Sequence, residues 1–314
     1  MKWEMAAPRD HYAKALISLA KEGKDIVVLD ADLSSSTRTA RFGKEFPDRF
    51  FNAGIAEQNM IGIAAGLATT GKTVFASTFA VFATGRAYDQ IRQSVAYPRL
   101  NVKVVATHAG ITVGGDGASH QIIEDLALMT ALPGMTVISP VDIHETEKAV
   151  RAIAEMDGPA YMRLSRSSMP VVTDESSPFE IGKGQVMREG DDVSIIATGI
   201  MVSRAVEATE ELKGKGISAS VINISTIKPM DRELIVAEAK RAGAVVTAEE
   251  HNVIGGLGYA VASVLSEEYP VPLKMVGIED TFGESGSPDE LLGKYGLTAG
   301  HIRGAAEEVL RMKR

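Results

Sequence analysis

The sequence predicts an α/β protein of two consecutive domains, each with a mainly parallel sheet covered by helices. Short runs rich in β-branched residues alternate with helical patterns along most of the chain. These runs are apolar throughout, which is typical of parallel strands buried on both faces. The alternation stops near Ser167 and restarts at Val193. A chain of 314 residues has room for two such units.

The first domain is predicted over residues 1–168. Apolar runs predict strands at 25–33, 73–77, 102–107, 135–139 and 159–165. Helical patterns between them predict helices at 56–70, 79–95, 122–132 and 143–156. Because helices connect most successive strands, we expect those strands to run parallel.

A linker is predicted over residues 169–191, where Ser, Pro and acidic residues show no sustained period, with one short strand at 182–187. The second domain is predicted over residues 192–314. Its predicted strands lie at 193–199, 218–225, 244–250 and 273–279, and its predicted helices at 201–215, 231–242, 258–268 and 299–312. Glu307 and Glu308 on the last helix are expected to face water.

The composition excludes several classes of function. The formal net charge is −8, and an acidic chain of mixed-sign helices is not expected to bind nucleic acid. With no cysteine, the chain has no disulfide framework, iron–sulfur site, thiolate zinc site or cysteine nucleophile. No apolar run approaches a membrane span, and the first residues lack a signal peptide's apolar core. We therefore expect a cytoplasmic protein with no membrane partner.

Ligands of open parallel sheets gather at the carboxyl ends of strands, so we consider the residues that follow each strand. Glu57 lies in the first turn of a helix rich in small residues, which predicts a buried helix packed closely on a neighbour. A carboxylate there is either a capping acid on a solvated turn or a buried group that needs a partner. The sequence leaves both possibilities open.

Two further segments carry candidate binding residues. Phe79 and Phe82 are three apart, so on a helix they would share a face and either fill the core or stack on a flat ligand. His108, Asp116 and His120 lie on a glycine-rich loop after the predicted strand at 102–107. Their spacing matches no standard zinc pattern, so a polar substrate-binding loop is favoured over a metal site.

Arginine near hydroxyl groups can hold a phosphate, and Arg9, Ser36 and Arg166 form such a set. Four other arginines are equally plausible as phosphate ligands or as surface salt-bridge residues: Arg38, Arg86, Arg163 and Arg303. The segment IGGLG at 254–258 is either a phosphate-cradling turn or, more simply, a tight turn from strand to helix.

Three segments at their observed spacing together resemble the transketolase family: RFFNAGIAEQNMIGIAAGLA, FASTFAVF and THAGITVGGDGASHQ. The SRSS segment at 165–168 and the later HNVIGGLG segment also fit. The resemblance covers nearly the whole chain. It implies a thiamine-diphosphate-binding pyrimidine domain followed by a transketolase C-terminal domain.

The resemblance implies roles for the residues around the cofactor. Glu57 would hydrogen-bond N1′ of the aminopyrimidine and so promote loss of the thiazolium C2 proton, the step that activates thiamine diphosphate. Phe79 and Phe82 would pack around the aminopyrimidine ring. Asp32 would lie near the cofactor site.

The resemblance also implies the residues that bind substrate. His108, Asp116 and His120 would bind the hydroxyls and the carbonyl oxygen of the sugar, and His108 and His120 would belong to the catalytic group, His120 in proton transfers. Arg9, Ser36 and Arg166 would hold the phosphate of a sugar phosphate.

Two departures from the family pattern matter. Full-length transketolases often carry another aromatic residue where this chain has Gly85, so the pyrimidine pocket is expected to be more open. The family's N-terminal domain, which holds the metal and diphosphate through a GDG motif and a later asparagine, has no counterpart here. Gly115-Asp116-Gly117 spells GDG, but no asparagine occurs between Asn101 and Asn223. We therefore assign no metal ligand to this chain.

These departures predict a partner. A separate N-terminal transketolase subunit would bind magnesium or calcium and the diphosphate, in an assembly expected to be α2β2. The chain would then be the C-terminal subunit of a two-subunit transketolase that transfers a two-carbon ketol unit between sugar phosphates.

Other functions remain as alternatives. Deoxyxylulose-phosphate synthases carry a similar AEQ segment and loop but are normally single long chains. The beta subunit of a 2-oxo-acid dehydrogenase decarboxylase has the same domain pair but normally a different histidine loop. A non-catalytic protein of the same fold would not need Glu57, His108 and His120 together.

Overall fold

The computed structural model describes residues 1–313. Two parallel-rich sheets carry the fold. The strands are β1 (Met5–Ala6), β2 (Ile26–Asp30), β3 (Phe50–Asn52), β4 (Thr73–Phe79), β5 (Val102–Thr107), β6 (Thr136–Ile138), β7 (Ala160–Arg163), β8 (Met169–Pro170), β9 (Gln185–Arg188), β10 (Val193–Ala197), β11 (Ala219–Asn223), β12 (Thr226–Lys228), β13 (Val245–Asn252) and β14 (Leu273–Ile278).

Helices cover both sheets. They are α1 (Pro8–Lys21), α2 (Ser34–Thr37), α3 (Ala40–Glu45), α4 (Glu57–Ala68), α5 (Tyr88–Gln90), α6 (Asp125–Thr130), α7 (Ile143–Glu155), α8 (Met201–Lys213), α9 (Arg232–Ala242), α10 (Leu257–Glu268), α11 (Pro288–Lys294) and α12 (Ala299–Met312). None of the helices within residues 1–313 is both long and apolar enough to cross a membrane.

The first sheet has the strand order β12-β6-β7-β5-β4-β2-β3. All its neighbouring strands are parallel except β12 and β6. The five strands predicted for the first domain are therefore confirmed, as is their parallel arrangement. The central strands β2, β4 and β5 consist almost entirely of buried residues, which explains their continuous apolar sequence.

The second sheet has the order β14-β13-β10-β11-β9, parallel except for β9 against β11. The four strands predicted for the second domain are present. The short strand predicted at 182–187 is β9, shifted toward the second domain, whose sheet it joins at the edge. The pair β1 and β8 connects the N-terminus to the start of the predicted linker.

The two sheets are joined by a short strand that the sequence did not predict. β12 follows β11 in the chain but pairs with β6 of the first sheet. At the same junction Glu145 Oε1 accepts hydrogen bonds from Asn223 Nδ2 at 2.9 Å and Ser225 Oγ at 2.6 Å. Burial raises the pKa of Glu145 to about 7. The junction between the sheets is thus buried and polar.

The prediction of a helix at 79–95 is wrong in where the helix starts and in the type of helix. β4 continues to Phe79, because Phe79 pairs with Thr107 of β5. The chain then forms π-helical turns at Phe82–Arg86 and Ile91–Ala96, with the short α5 between them. The helix predicted at 122–132 is shorter, since only α6 within it is α-helical.

The last helix, α12, agrees with the prediction in extent. Glu308 is exposed and forms a surface pair with Lys274 at 2.8 Å. Glu307 is only half-buried, and its carboxylate lies 2.5 Å from Lys215 Nζ. Glu308 therefore faces water, as expected, whereas Glu307 does so only in part.

Candidate active site

The sequence-predicted residues meet along one edge of the first sheet. The segments carrying Ser36, Phe82, His108 and Arg166 follow β2, β4, β5 and β7, respectively. Those four strands are parallel to one another across the sheet order. Their carboxyl ends therefore open at the same edge, which is where open α/β sheets bind ligands.

Glu57 is a buried carboxylate, not a solvated capping acid. It is the first residue of α4, and its side chain is 2% exposed. Arg86 Nη1 donates a hydrogen bond to Glu57 Oε1 at 2.8 Å. Glu57 Oε2 is buried and has no hydrogen-bond partner among residues 1–313. Buried carboxylate oxygens are normally paired, so Oε2 marks a position where a ligand can donate a hydrogen bond.

The rest of α4 is less buried than predicted. One face packs on the sheet through Met60, Ile61 and Ala64. The opposite face is exposed in this chain and includes Gly62 and Ile63. The prediction of a buried helix therefore holds for one face of α4 and not for the other in this chain, because the other face points away from its own sheet.

Four rings form a cluster beside this helix. The ring centroids of Phe79 and His108 lie 3.6 Å apart with an interplanar angle of 16°. Those of Phe79 and Phe82 lie 5.8 Å apart at 11°. His120 meets Phe82 edge-on at 5.5 Å. The two phenylalanines come together because a strand end meets a π-helical turn, and not because they share a helix face, as the sequence predicted.

Arg86 connects the ring cluster to Glu57. Its guanidinium carbon lies 4.5 Å from the centroid of the Phe82 ring, a cation–π contact. Gln58 Nε2 donates to the main-chain oxygen of Arg86 at 3.2 Å. Gly85 next to it is exposed. Arg86 therefore bridges Glu57 and Phe82.

His108 is held as a neutral imidazole. Its backbone is in the left-handed region with φ +60°, and its Nδ1 lies 2.8 Å from Thr107 Oγ1. Burial, together with the positive charges of Arg9 and Arg166, lowers the pKa of His108 to about 3. A neutral ring can both donate and accept hydrogen bonds, which suits binding of a sugar hydroxyl.

The loop after β5 has a buried back and an exposed tip. A 3₁₀ turn at Ile111–Asp116 contains buried Ile111, Thr112 and Val113. Asp116 is exposed, and His120 is half-buried with Nδ1 3.0 Å from Ser119 Oγ. Asp116 and His120 therefore stand on the open side of a loop that is anchored behind.

The predicted phosphate residues form a cationic group. Arg9 Nη1 donates to the main-chain oxygen of Ser36 at 2.9 Å, and Arg166 Nη1 donates to the main-chain oxygen of Val113 at 2.7 Å. Burial and the charge of Arg38 lower the pKa of Arg9, with a smaller contribution from Arg166. Several guanidinium groups in mutual repulsion form a site that an anion would stabilise.

The four arginines that the sequence left open have different surroundings. Arg38 Nε lies 3.2 Å from Asp10 Oδ1, beside Arg9. Arg163 is buried, with Nε 3.3 Å from Asp125 Oδ2. Arg303 forms a surface pair with Glu211 at 2.8 Å. Only Arg38 and Arg86 therefore belong to the candidate site.

Asp32 lies at the carboxyl end of β2 and is exposed. Asn52 Nδ2 donates to Asp32 Oδ1 at 3.1 Å, and the Asp32 main-chain nitrogen donates to Asn52 Oδ1 at 3.0 Å. Within residues 1–313, no group of three or more His, Asp or Glu side chains is arranged to hold a metal ion.

The glycine-rich turn at 254–258 does not cradle a phosphate. α10 begins at Leu257, and Glu249 accepts hydrogen bonds from the main-chain nitrogens of Leu257 at 2.7 Å and Gly258 at 2.8 Å. The Glu249 carboxylate thus occupies the place at the start of α10 that a bound phosphate would take. The simpler interpretation, a tight turn into a helix, is correct.

Two protein-family models match the chain. "Transketolase, pyrimidine binding domain" matches residues 4–172, and "Transketolase, C-terminal domain" matches residues 182–302. The chain belongs to the transketolase family.

Relatives of similar length support this transketolase assignment. A predicted transketolase C-terminal section from Methanocaldococcus jannaschii is 56% identical over 292 residues, which cover 92% of each chain. A 6-deoxy-6-sulfo-D-fructose transketolase subunit from Clostridium sp. is 48% identical over 305 residues, 97% of this chain and 95% of that one. A solved structure described as a split-gene transketolase, inactive beta4 tetramer, has a TM-score of 0.92 and 57% identity and covers 98% of this chain and 99% of that one.

The reaction of transketolases is ketol transfer with thiamine diphosphate, and the residues present fit the aminopyrimidine part of that cofactor. The ring needs a carboxylate that accepts a hydrogen bond from a ring nitrogen, and Glu57 Oε2 is buried without a donor among residues 1–313. Flat rings also stack on aromatic side chains, which Phe79 and Phe82 supply.

Proposed function

We propose that this chain is the cofactor-activating and substrate-binding subunit of a two-subunit transketolase that transfers a two-carbon ketol unit between sugar phosphates. The observation that carries the proposal is the geometry of Glu57. One of its oxygens is fixed by Arg86, and the other is buried and has no partner in the part of the chain that the structure describes. A surface capping acid would not be left in this state.

Glu57 accepts the hydrogen bond of the aminopyrimidine N1′ through Oε2, and Phe79 and Phe82 hold the ring. Asp32 lies at the carboxyl end of β2 and borders the cofactor site. When bound, thiamine diphosphate supplies the nucleophilic carbon that attacks the ketose carbonyl. Glu57 orients the ring, while the aromatic cluster excludes water from it.

His108, Asp116 and His120 bind the polar groups of the sugar. His108 stays neutral and accepts or donates to a hydroxyl, because burial and the nearby arginines lower its pKa to about 3. His120 is half-buried next to the ring cluster and moves protons at the carbonyl oxygen of the substrate. Arg9, Ser36 and Arg166 hold the terminal phosphate, with Arg38 adding positive charge.

The chain works with a separate N-terminal subunit that binds the metal, magnesium or calcium, and the diphosphate. Three observations support this. The GDG sequence lies in the loop after β5, and no asparagine follows it before Asn223. The outer face of α4, beside Glu57, is exposed. Similar proteins are described as a C-terminal section and as a subunit. An α2β2 assembly located in the cytoplasm remains part of the proposal.

Mixing this chain with its candidate N-terminal subunit, thiamine diphosphate and Mg²⁺ tests the proposal. We expect ketol transfer from a ketose phosphate to an aldose phosphate only in the mixture. The same assay with a 6-sulfo ketose as donor tests which terminal anion the arginine group prefers, since one similar protein is named for that sugar class.

Two outcomes would contradict the proposal. Pyruvate decarboxylation without ketol transfer would favour a 2-oxo-acid dehydrogenase subunit, and condensation of pyruvate with an aldose phosphate would favour a deoxyxylulose-phosphate-synthase-like enzyme. Full transfer activity of this chain alone would remove the need for a partner.

A further inference from the structure

The loop that carries His108, Asp116 and His120 is held from behind by the second domain. We call residues 108–121 the histidine loop. Its back is buried, and the second domain supplies two sets of contacts to it. One set comes from β13 and the other from the segment 283–286 just before α11.

The first contact is a hydrogen bond from the loop backbone to Glu250. The main-chain nitrogen of Thr112 donates to Glu250 Oε1 at 2.7 Å. Glu250 lies on β13 and is 8% exposed. Gly110 has φ +77°, and a Cβ placed there would lie 2.2 Å from Glu250 Oε1. The carboxylate therefore rests directly against the backbone of the loop, two residues after His108.

Glu250 is itself fixed by the first domain. Arg163 Nη1 and Nη2 both donate to the main-chain oxygen of Glu250, at 3.3 and 3.2 Å. Arg163 is buried and paired with Asp125. Burial raises the pKa of Glu250, and the charge of Arg163 opposes that rise. The main chain of residue 250 is thus anchored on β7, while its side chain reaches the loop.

The second contact holds the far end of the histidine loop. Gln121 Nε2 donates to the main-chain oxygen of Glu284 at 2.9 Å. A Cβ on Gly283 would lie 1.9 Å from Gln121 Oε1, and one on Gly117 would lie 2.6 Å from Ser285 Oγ. Gly283 and Gly117 therefore leave the space that the side chains of Gln121 and Ser285 occupy. Both ends of the loop are supported by residues of the second domain.

We propose that Glu250 is a positioning residue for substrate binding, and that through it the second domain sets the position of the histidine loop in the sugar site. This rests on the proposed function for its kinetic consequence, but the contact itself belongs to the folded chain. Glu250 does not touch substrate. It acts by holding the backbone from which His108 and Asp116 extend.

Two variants separate the reach of the Glu250 side chain from its charge. Glu250→Asp keeps the charge but is one methylene shorter, so it withdraws from the Thr112 nitrogen. Glu250→Gln keeps the reach and an accepting oxygen but has no charge. Glu249→Gln is the matched control, because Glu249 is also buried on the same strand but accepts hydrogen bonds from Leu257 and Gly258 at the start of α10.

Amide hydrogen exchange of the full chain, measured by mass spectrometry, reads the contact directly. We expect Glu250→Asp to speed exchange in the segment 109–121 by about tenfold, and Glu250→Gln to keep most of the protection. Glu249→Gln should affect the start of α10 and not the loop. Equal protection of the loop in wild type and Glu250→Asp, or equal loosening by the Glu249 control, would overturn the proposal.

Steady-state kinetics of the assembled enzyme give the second readout. Glu250→Asp should raise KM for the ketose about tenfold while changing kcat much less, because the lost contact at Thr112 displaces the binding groups His108 and Asp116. Gln121 still holds the end of the loop next to His120. A fall in kcat with KM unchanged would contradict positioning. If the wild-type assembly shows no ketol transfer, the proposed function fails, while the exchange measurement still decides whether Glu250 holds the loop.

Discussion

Arg86 Nη1 donates a hydrogen bond to Glu57 Oε1 at 2.8 Å and leaves Glu57 Oε2 as a buried oxygen without a partner in residues 1–313. The two residues are 29 positions apart, and they meet because a π-helical turn brings Arg86 over the start of α4. A charge-assisted bond fixes the orientation of a carboxylate more firmly than a neutral one. Arg86 therefore determines which Glu57 oxygen faces the pocket.

Replacing Arg86 tests this relationship. In the assembled enzyme, Arg86→Met should slow exchange of the cofactor C2 proton about tenfold, because Glu57 loses the donor that orients it. Exchange is measured by NMR after acid quench. Arg303→Met is the control, since Arg303 forms a similar 2.8 Å pair with Glu211 far from the site. Equal exchange rates in wild type and Arg86→Met would show that Glu57 needs no such support.

Arg166 provides a test of phosphate binding. Arg166→Ala should raise KM for phosphorylated sugars by about tenfold or more, because a charged hydrogen-bond donor to the phosphate is lost. Arg166 also donates to the main-chain oxygen of Val113, so some general disturbance of the loop is expected. Unphosphorylated analogues separate the two effects. If they suffer the same loss of kcat/KM, Arg166 supports the loop and does not bind phosphate.

The protonation of His108 gives a pH prediction. Because burial lowers the folded-state pKa of His108 to about 3, its ring should show no titration between pH 5 and 9. Nitrogen-15 NMR of the imidazole in the folded chain measures this. The unfolded chain takes up this proton near the ordinary pKa of about 6.5. The stability from neutral His108 is therefore fully present above that pH and decreases as pH falls toward 3.

A titration midpoint of His108 near 6.5 in the folded chain would contradict this assignment. Such a midpoint would mean that the site around His108 is open to water, and that its role as a neutral hydrogen-bonding group is wrong.

Much of the fold follows from local sequence patterns. The apolar runs of β2, β4 and β5 predict buried parallel strands because every residue there can be buried between two layers of helices. α1 could also have been found, since Pro8 stands at its first turn and the buried Tyr12, Leu16 and Leu19 have helical spacing.

Other features depend on tertiary packing and carry no local signal. β12 is three residues long and joins a sheet built mainly from earlier residues. Aromatic spacing alone predicts that Phe79 lies in a helix. It does not reveal that β4 extends to Phe79, which pairs with Thr107 of β5. The polar loops that follow the strands do predict which segments carry the site, because the carboxyl ends of parallel strands lie at the same edge of a sheet. The partners within it, such as Glu250 for the loop nitrogen of Thr112, are separated by 138 positions.

The central claim is that Glu57 activates the cofactor, and exchange of the C2 proton of thiamine diphosphate in the assembled enzyme tests it most directly. Glu57→Gln should slow this exchange by at least about a hundredfold, since the amide cannot act as the charged acceptor at N1′. Circular dichroism and the oligomeric state should match wild type. Unchanged C2 exchange in a folded, assembled Glu57→Gln enzyme would contradict the account.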